Sequence, residues 1–414
     1  MPTEPALSQN EFSPTTQAEL QQFLTQNFAG PKRALAPVGG RTALDFGGPL
    51  SKPAVTIDMS RLERVVDFPA RDMTITVEVG IRIDRLAEVL KVEGQRLPID
   101  IAQPSRATLG GAIAVNTSGP RRFGCGTFRD YVIGLTAVTA DGRVFHSGGR
   151  VVKNVAGYDL CKLLIGSLGT LAVVTQLTLK LKPLPESSVL VWTSFNNLAD
   201  LDAAVAGLMT SQTRPVSIET LNSRAAALIE NQARVGLPTG VFILIVGYEG
   251  SARETDWQAE TLGRELGARG SKEVSVARDA NADRLWTALT EFPVCMDESL
   301  AFQASLLPSM VAQFAEQASR FGISLLSHAG NGTVIGKLAE DARDASRAAE
   351  ILSLLSELAS RYGGYLMLLR GDPRWKAALP VGGSPADSQS LMRKLKQAFD
   401  PEDLLNPGRM FPSE

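Results

Sequence analysis

The sequence predicts an α+β fold in which small mixed subdomains precede a larger antiparallel layer, and three features of the 414-residue chain point to it. Glycine-rich turns stand beside short apolar strands between Ala34 and Leu181. No G-x-G-x-x-G follows the first strand, which disfavours the parallel sheet of a Rossmann dinucleotide domain. From Val189 onward the pattern runs βαββαβ and then repeats, implying one antiparallel sheet with helices on one face.

Length and composition bound the rest. A chain of 414 residues with 44% hydrophobic and 21% charged residues can bury large cores in two or three domains. Lys plus Arg (42) nearly balance Asp plus Glu (44), so no nucleic-acid footprint is expected. No apolar run approaches the roughly 20 residues of a spanning helix. The start, MPTEPALSQNEFSPTTQ, has neither a basic nor an apolar leader region, so a cytoplasmic protein is expected. Cys125, Cys161 and Cys295 are too few and too scattered for an iron–sulfur cluster, and read as free thiols.

In chain order, Thr16 with Glu19 forms a capping box for a helix carrying Leu20, Phe23, Leu24 and Phe28. Ala34 to Val38 is a strand that runs into the turn PVGGRTALDFGG (Pro37 to Gly48). Val55 to Met59 and Thr74 to Val79 are strands, the latter with Ile75, Val77 and Val79 on one face, and Ile83, Leu86, Ala87 and Leu90 mark a helix. LPID (Leu97 to Asp100) then delivers the chain into its densest stretch, PSRATLGGAIAVNTSGP (Pro104 to Pro120). Gly110, Gly111 and Gly119 lie there among Ala107, Ala112, Ala114 and Ser118, so main chain can approach something flat and polyanionic. A strand at Val132 to Thr139 meets a hairpin signal at Asp141-Gly142, and a helical pattern ends in GSLGT (Gly166 to Thr170) before a further strand. Such turns suggest a nucleotide cradle in which main-chain N–H groups, rather than a lysine, neutralise phosphate.

Past the proline-punctuated boundary Lys182 to Glu186, strands are expected at Val189 to Phe195, Val216 to Leu221, Val241 to Tyr248 and Glu273 to Ala277, with helices at Leu201 to Leu208 and Thr255 to Leu266. The repeat places strands at Ala301 to Leu307, Ile323 to His328, Gly332 to Leu338 and Tyr365 to Leu369, with helices around Phe314 and Leu355. Val381 to Ser388 reads as a mobile loop, and Leu391 to Phe399 as a last helix.

The ordered set Pro-x-Gly-Gly-x-Thr (Pro37 to Thr42), Leu-Pro-x-Asp, Ala-Thr-Leu-Gly-Gly (Ala107 to Gly111) with Asn116 and Ser118-Gly119, Gly-x-x-Arg-Asp (Gly126 to Asp130), Asp-Gly-Arg, Lys-Asn-x-x-Gly-Tyr-Asp (Lys153 to Asp159) and Gly-Ser-x-Gly-Thr resembles the FAD-binding domain of the vanillyl-alcohol-oxidase, or PCMH-type, flavoproteins. The tail LKQAFDPEDLLNPGRMF (Leu395 to Phe411) is similar to the FDPxxxxNPGR end of glycolate and D-lactate dehydrogenases. Within that group the chain resembles the FAD-binding E-type subunit of bacterial glycolate oxidase, with Leu168 where catalytic relatives carry Glu. The resemblance implies a two-subdomain FAD-binding domain over 1–185, a ferredoxin-like antiparallel cap domain over 186–385 laid over the flavin, and a segment 386–414 whose helix returns to the FAD domain.

By the same resemblance Gly39, Gly40, Arg41 and Thr42 hold the pyrophosphate, and Pro37 and Ala43 are further cofactor-binding residues. Pro104, Ala107, Thr108, Leu109, Gly110, Gly111, Asn116, Ser118 and Gly119 approach pyrophosphate and ring, while Gly126, Gly169, Val173 and Asn406 complete the pocket. With no His in the first glycine turn, FAD is expected to be bound noncovalently. The implied partners are a small 2-hydroxy acid, a catalytic flavin subunit and an iron–sulfur subunit, and any attachment to the inner face of the membrane would run through those subunits.

Catalytic relatives carry His-x-x-Gly-Asp-Gly-Asn-x-His on a cap strand pair and Glu-His on a later strand, together binding a metal and supplying a base. This chain keeps only HAGNGTVIG (His328 to Gly336), with Asn331 for Asp and no second His, and its later strand reads YLMLLRGDP (Tyr365 to Pro373). Of its two histidines, His146 is expected at the surface, which leaves His328 as the candidate base and Arg370 as a candidate clamp for a substrate carboxylate. No metal is expected. Three functions stay open: accessory FAD-binding subunit of a glycolate dehydrogenase complex, self-sufficient dehydrogenase of D-lactate or another 2-hydroxy acid, and scaffold with a vestigial pocket.

Overall fold

The computed structural model describes residues 7–149, 158–238, 242–268, 271, 273–294, 300–338, 345–371 and 386–410. Lys153 to Gly157, Cys295 and most of Val381 to Ser388 lie outside the described residues. The chain forms two compact units. One holds the chain through Thr117, Thr127–Leu184 and the described C-terminal residues, and the other holds Ser118–Gly126 together with the described residues from Pro185 to Gly371.

In the first unit β1 (Leu7–Phe12), β2 (Ala34–Val38) and β3 (Ala54–Asp58) form a parallel sheet of order β1-β3-β2. Helix α1 (Gln17–Ala29) packs Leu20 and Leu24 into the core. Its cap departs from the expected box: the Thr16 hydroxyl accepts the Glu19 N–H, but the Glu19 carboxylate takes the N–H of Thr15, one residue earlier. A second sheet of order β4-β5-β9-β7-β8 comprises β4 (Val65–Asp67), β5 (Thr74–Glu78), β7 (Val132–Val138), β8 (Val144–Gly148) and β9 (Val173–Lys180). Burial along β9 alternates from Val173 to Lys180, the period of a strand with one face on the core. Short β6 (Gln95–Arg96) and β10 (Lys182–Pro183) pair with each other. Helices α2 (Ile83–Val92), α3 (Leu109–Val115), α5 (Phe128–Tyr131) and α6 (Leu160–Leu164) complete the unit together with α13 (Ala386–Phe399), whose Lys396 bonds the Thr170 carbonyl.

The second unit is built on one eight-stranded sheet. Its first half contributes β11 (Ser187–Phe195), β12 (Ser217–Leu221), β13 (Phe242–Gly250) and β14 (Ser275–Ala277). Its second half contributes β15 (Leu300–Ser305), β16 (Ser324–His328), β17 (Thr333–Leu338) and β18 (Tyr365–Arg370). The order β14-β11-β13-β12-β16-β17-β15-β18 is two ferredoxin-like quartets joined back to back through their second strands. That seam pairs β12 with β16 antiparallel, Glu219 opposite His328 and Thr220 opposite Ser327. Helices α7 (Leu198–Leu208), α9 (Ala252–Gly267), α11 (Val311–Ser319) and α12 (Ala345–Arg361) line one face with Val191, Val246, Phe302, Phe314 and Leu352 in the core.

The other face of the first half is covered too, contrary to the expected arrangement. Helices α8 (Ser223–Ala233) and α10 (Asp279–Glu291) follow β12 and β14, where the βαββαβ reading has no place for them. Trp286 of α10 lies on Gly247, whose added Cβ would stand 2.3 Å from the indole, and its Nε1 donates to Ser188 Oγ at 2.9 Å. The buried face of α8 is mostly alanine, Ala225, Ala226 and Ala233 with only Ile229 larger, so its amphipathic stripe is faint in the sequence. Ser118–Gly126, which includes α4 (Arg122–Cys125), packs on this unit: Gly124 N donates to Val216 O, Phe123 lies against Gly330, and Arg121 pairs with Glu249 at 2.7 Å beneath Trp286.

Candidate functional site

A continuous cleft opens in the first unit. Its walls are the turn after β2, the start of α3, the turn Gly166 to Gly169, and the head of β9. Two connected chambers share Pro37, Val38, Gly39, Gly111, Ala114 and Leu168. Small residues keep it open, and neither His nor Cys stands among the lining residues to bond a ligand covalently.

Thr108 is the keystone. As N-cap of α3 its hydroxyl accepts the N–H of Gly111 at 3.4 Å and, across the cleft floor, the N–H of Gly40 at 3.3 Å. A Cβ on Gly39 would fall 2.0 Å from that hydroxyl, and one on Gly40 would fall 1.8 Å from the Arg106 carbonyl. The smallness of these two glycines therefore serves turn-against-turn packing within the protein. Gly111 differs: an added Cβ there would meet only Thr108 Oγ1, at 3.4 Å, and the residue faces the cleft.

The expected phosphate contacts redistribute accordingly. The N–H groups of Leu109 and Gly110 are spent on the carbonyls of Ile81 (2.9 Å) and Val79 (2.7 Å), so the head of α3 is closed to a phosphate. Among the described residues the main-chain N–H groups of Arg41, Thr42 and Ala43 have no acceptor, and Arg41 sits in the left-handed region at φ 55°. Successive N–H groups in such a turn form an anion nest. The Arg41 guanidinium itself turns outward to Glu11 at 2.9 Å.

The C-terminal tail straps this turn. Leu35 N donates to Leu404 O and Asn406 N to Leu35 O, adding the tail beside β2. Asn406 Nδ2 donates to Leu168 O at 2.9 Å, Gly48 N to Arg409 O, and Arg409 Nη1 to the carbonyls of Leu44 and Phe46. Burial lowers the pKa of the Arg409 guanidinium from its ordinary value.

Of the residues expected to touch the cofactor, Pro37, Gly39, Gly40, Arg41, Thr42, Ala43, Thr108, Gly110, Gly111, Gly169, Val173 and Asn406 line the cleft. Pro104 is exposed, whereas Ala107 and Leu109 are buried in the protein, and none of the three lines it. Asn116 caps α3 in the left-handed region with its Oδ1 buried and unpartnered among the described residues. Ser118, Gly119 and Gly126 belong to the second unit. Sequence reasoning missed Ala114, Leu168 and Arg409, although the last stands in the quoted tail motif.

In the second unit the β12–β16 seam carries a buried polar pair. His328 Nδ1 lies 2.6 Å from Glu219 Oε2, with the side chains 2% and 0% exposed, and Ser217 Oγ donates to Glu219 Oε1 at 3.2 Å. His328 Nε2 and Asn331 Oδ1, three residues apart around the following turn, are buried without a partner among the described residues. Glu219 was not foreseen. Arg370 is not brought to this pair: two strands separate β18 from β16, and Arg370 opposes Ala301 whereas His328 opposes Thr333. At ordinary strand spacing and rise that is about 20 Å, too far for both to hold one small acid. His146 is exposed and bonds Thr136 Oγ1 at 2.8 Å. Among the described residues no cluster of three or more His, Cys, Asp or Glu could hold a metal ion, and no helix is long and apolar enough to cross a membrane.

Comparisons with known proteins agree with this geometry. A model of the FAD binding domain matches residues 10–148, and one of the C-terminal domain of FAD linked oxidases matches residues 184–410. The chain is 28% identical over 395 residues to glycolate oxidase subunit GlcD of Bacillus subtilis, covering 91% of this chain and 83% of that one. It is 28% identical over 402 residues to D-2-hydroxyglutarate dehydrogenase of Xanthomonas citri pv. viticola (91% and 84% covered), and 29% over 383 residues to D-lactate dehydrogenase of Archaeoglobus fulgidus (90% and 84%). A solved structure of alkyldihydroxyacetonephosphate synthase shares the fold, with a TM-score of 0.69 at 19% identity over 96% of this chain and 75% of that one. The open cleft, its unspent N–H nest and its glycine walls fit FAD, and with both family models matched the chain belongs to the FAD-linked oxidases: it is an FAD-dependent oxidoreductase.

Proposed function

We propose that this chain is an FAD-bearing subunit of a complex that oxidises a small 2-hydroxy acid to the 2-oxo acid, with glycolate the first substrate to test. Bound FAD supplies the acceptor for the hydride that leaves C2. The chain's own contribution is a base for the hydroxyl proton, and His328 Nε2 is the candidate, because it is held in place yet has no partner among the described residues. That single observation carries the reading, and the relatives' names supply the substrate class. Arg41, Thr42 and Ala43 would hold the pyrophosphate through main-chain N–H groups, and Gly111 and Leu168 would flank the bound group. With three cysteines the chain has too few thiolates for a cluster of its own, so if electrons leave it through iron–sulfur clusters another subunit must carry them. The expected cytoplasmic location, with any membrane contact made through partners, belongs to this proposal.

A second reading has its own observation. No second His follows His328 in the string His328 to Gly336, and no metal-binding cluster is found among the described residues, which favours an accessory role beside a catalytic flavin subunit. Anaerobic titration of the purified, FAD-loaded chain with glycolate, D-lactate and D-2-hydroxyglutarate separates the two. Bleaching of the flavin band at about 450 nm by the chain alone, lost in His328→Ala while FAD stays bound, supports the first. Bleaching that needs the partner subunits, and that His328→Ala leaves unchanged, supports the second.

A further inference from the structure

The seam between the two quartets joins strands 109 residues apart so that the Glu219 carboxylate meets His328 Nδ1 at 2.6 Å, with both side chains at most 2% exposed. From this we infer that Glu219 is a positioning residue, which fixes His328 in the tautomer that carries its proton on Nδ1 and leaves the Nε2 lone pair free to accept one. The inference rests on the proposed reaction for its consequence, though not for its geometry.

Three observations carry it. Glu219 Oε1 accepts from Ser217 Oγ at 3.2 Å while Oε2 faces the imidazole, an arrangement that suits an acceptor-only carboxylate. The partner of one ring nitrogen decides which state the other presents. Among the described residues Nε2 is buried with no partner, as is Asn331 Oδ1 in the same turn, and buried polar atoms are left unsatisfied in native proteins for a reason, a ligand among them. A pair that served only to knit the sheet would leave no second nitrogen stranded, because burying an unmet acceptor costs about 1–3 kcal/mol.

The chain holds only two histidines, so ring-labelled ¹⁵N histidine gives four nitrogen resonances, and His146→Gln assigns them. In the FAD-loaded wild type, His328 is expected as the neutral tautomer protonated at Nδ1. In the near-isosteric Glu219→Gln, whose amide can donate to Nδ1, the proton moves to Nε2. Substrate-driven flavin reduction then falls on the order of 100-fold, with KM changed far less than kcat, and Glu219→Asp recovers part of the rate. A wild-type His328 protonated at Nε2 would overturn the inference whether or not the variant folds. So would a tautomer indifferent to Glu219→Gln, or a switched tautomer with an unchanged rate. If wild type reduces no flavin with any 2-hydroxy acid yet the tautomer switches, the proposed reaction fails while the hold of Glu219 on His328 stands.

Discussion

The cleft of the first unit and the seam of the second hold their functional groups by different parts of the chain. Around the cleft every bond has main chain on at least one side: the turn after β2 is fixed by the Thr108 hydroxyl, by main-chain and side-chain bonds from the tail Leu404 to Arg409, and by glycines whose missing Cβ lets other groups come close. At the seam the pair Glu219 and His328 is wholly side chain, placed by the register of two strands. A main-chain site tolerates varied side chains but no added atoms, whereas a side-chain pair tolerates remodelling nearby but no change in its own two members. The difference predicts where substitutions act on cofactor retention and where they act on proton transfer alone.

The largest effect should come from a mostly buried side chain that anchors the tail strap of the cleft. Lys396, with a 13% exposed side chain, donates to Thr170 O at 2.9 Å and Leu405 O at 3.0 Å and pairs with the fully buried Asp400, whose carboxylate in turn accepts the N–H groups of Leu404 and Leu405. Lys396→Met strands that carboxylate, and breaking a buried pair from one side costs about 3–5 kcal/mol. The unfolding free energy from urea titration should fall by that amount and purified protein should lose FAD. Unchanged flavin content would mean that the tail strap does not shape the cleft.

Next come the glycines. Gly40→Ala puts a methyl 1.8 Å from a backbone oxygen that cannot swing aside, so a loss of roughly 1–3 kcal/mol is expected together with weak flavin retention. Gly111→Ala meets only a hydroxyl at 3.4 Å, so stability should stay within about 0.5 kcal/mol while FAD affinity falls, because the methyl enters the cleft. Equilibrium unfolding and flavin dissociation, measured on both variants, test the contrast; equal stability losses would dissolve the distinction between packing glycines and cleft glycines.

These particulars explain what could be read from the sequence. Gly39, Gly40, Gly111 and Gly169 were legible because steric demands on main chain leave few residue types, and Asn406 because the tail motif repeats a backbone strap. His328 stood out as a lone imidazole in a recognisable string. Glu219 did not, since nothing local marks a residue whose partner is set by a strand register 109 positions away. The same long-range packing assigned Ser118 and Gly119 to the second unit, turned α8 and α10 onto the far face of the sheet, and left Arg370 strands away from His328. Cys161, read as a free thiol, is buried, and burial pushes its pKa up, as for an inert structural cysteine.

The smallest effect should be at Arg41. Its guanidinium reaches Glu11 at 2.9 Å and Asp58 at 3.8 Å but is 36% exposed, and such surface pairs contribute about 0–1 kcal/mol. Arg41→Ala should lower the urea midpoint only slightly and leave FAD bound, since the N–H at this position, and not the side chain, belongs to the nest. Arg41→Asn should recover that loss, because Asn adopts the left-handed region more readily than Arg or Ala does, and the residue sits there at φ 55°. A marked loss of flavin in Arg41→Ala, undiminished by high salt, would instead make the guanidinium a phosphate ligand and bring a side chain into the site otherwise built from main chain.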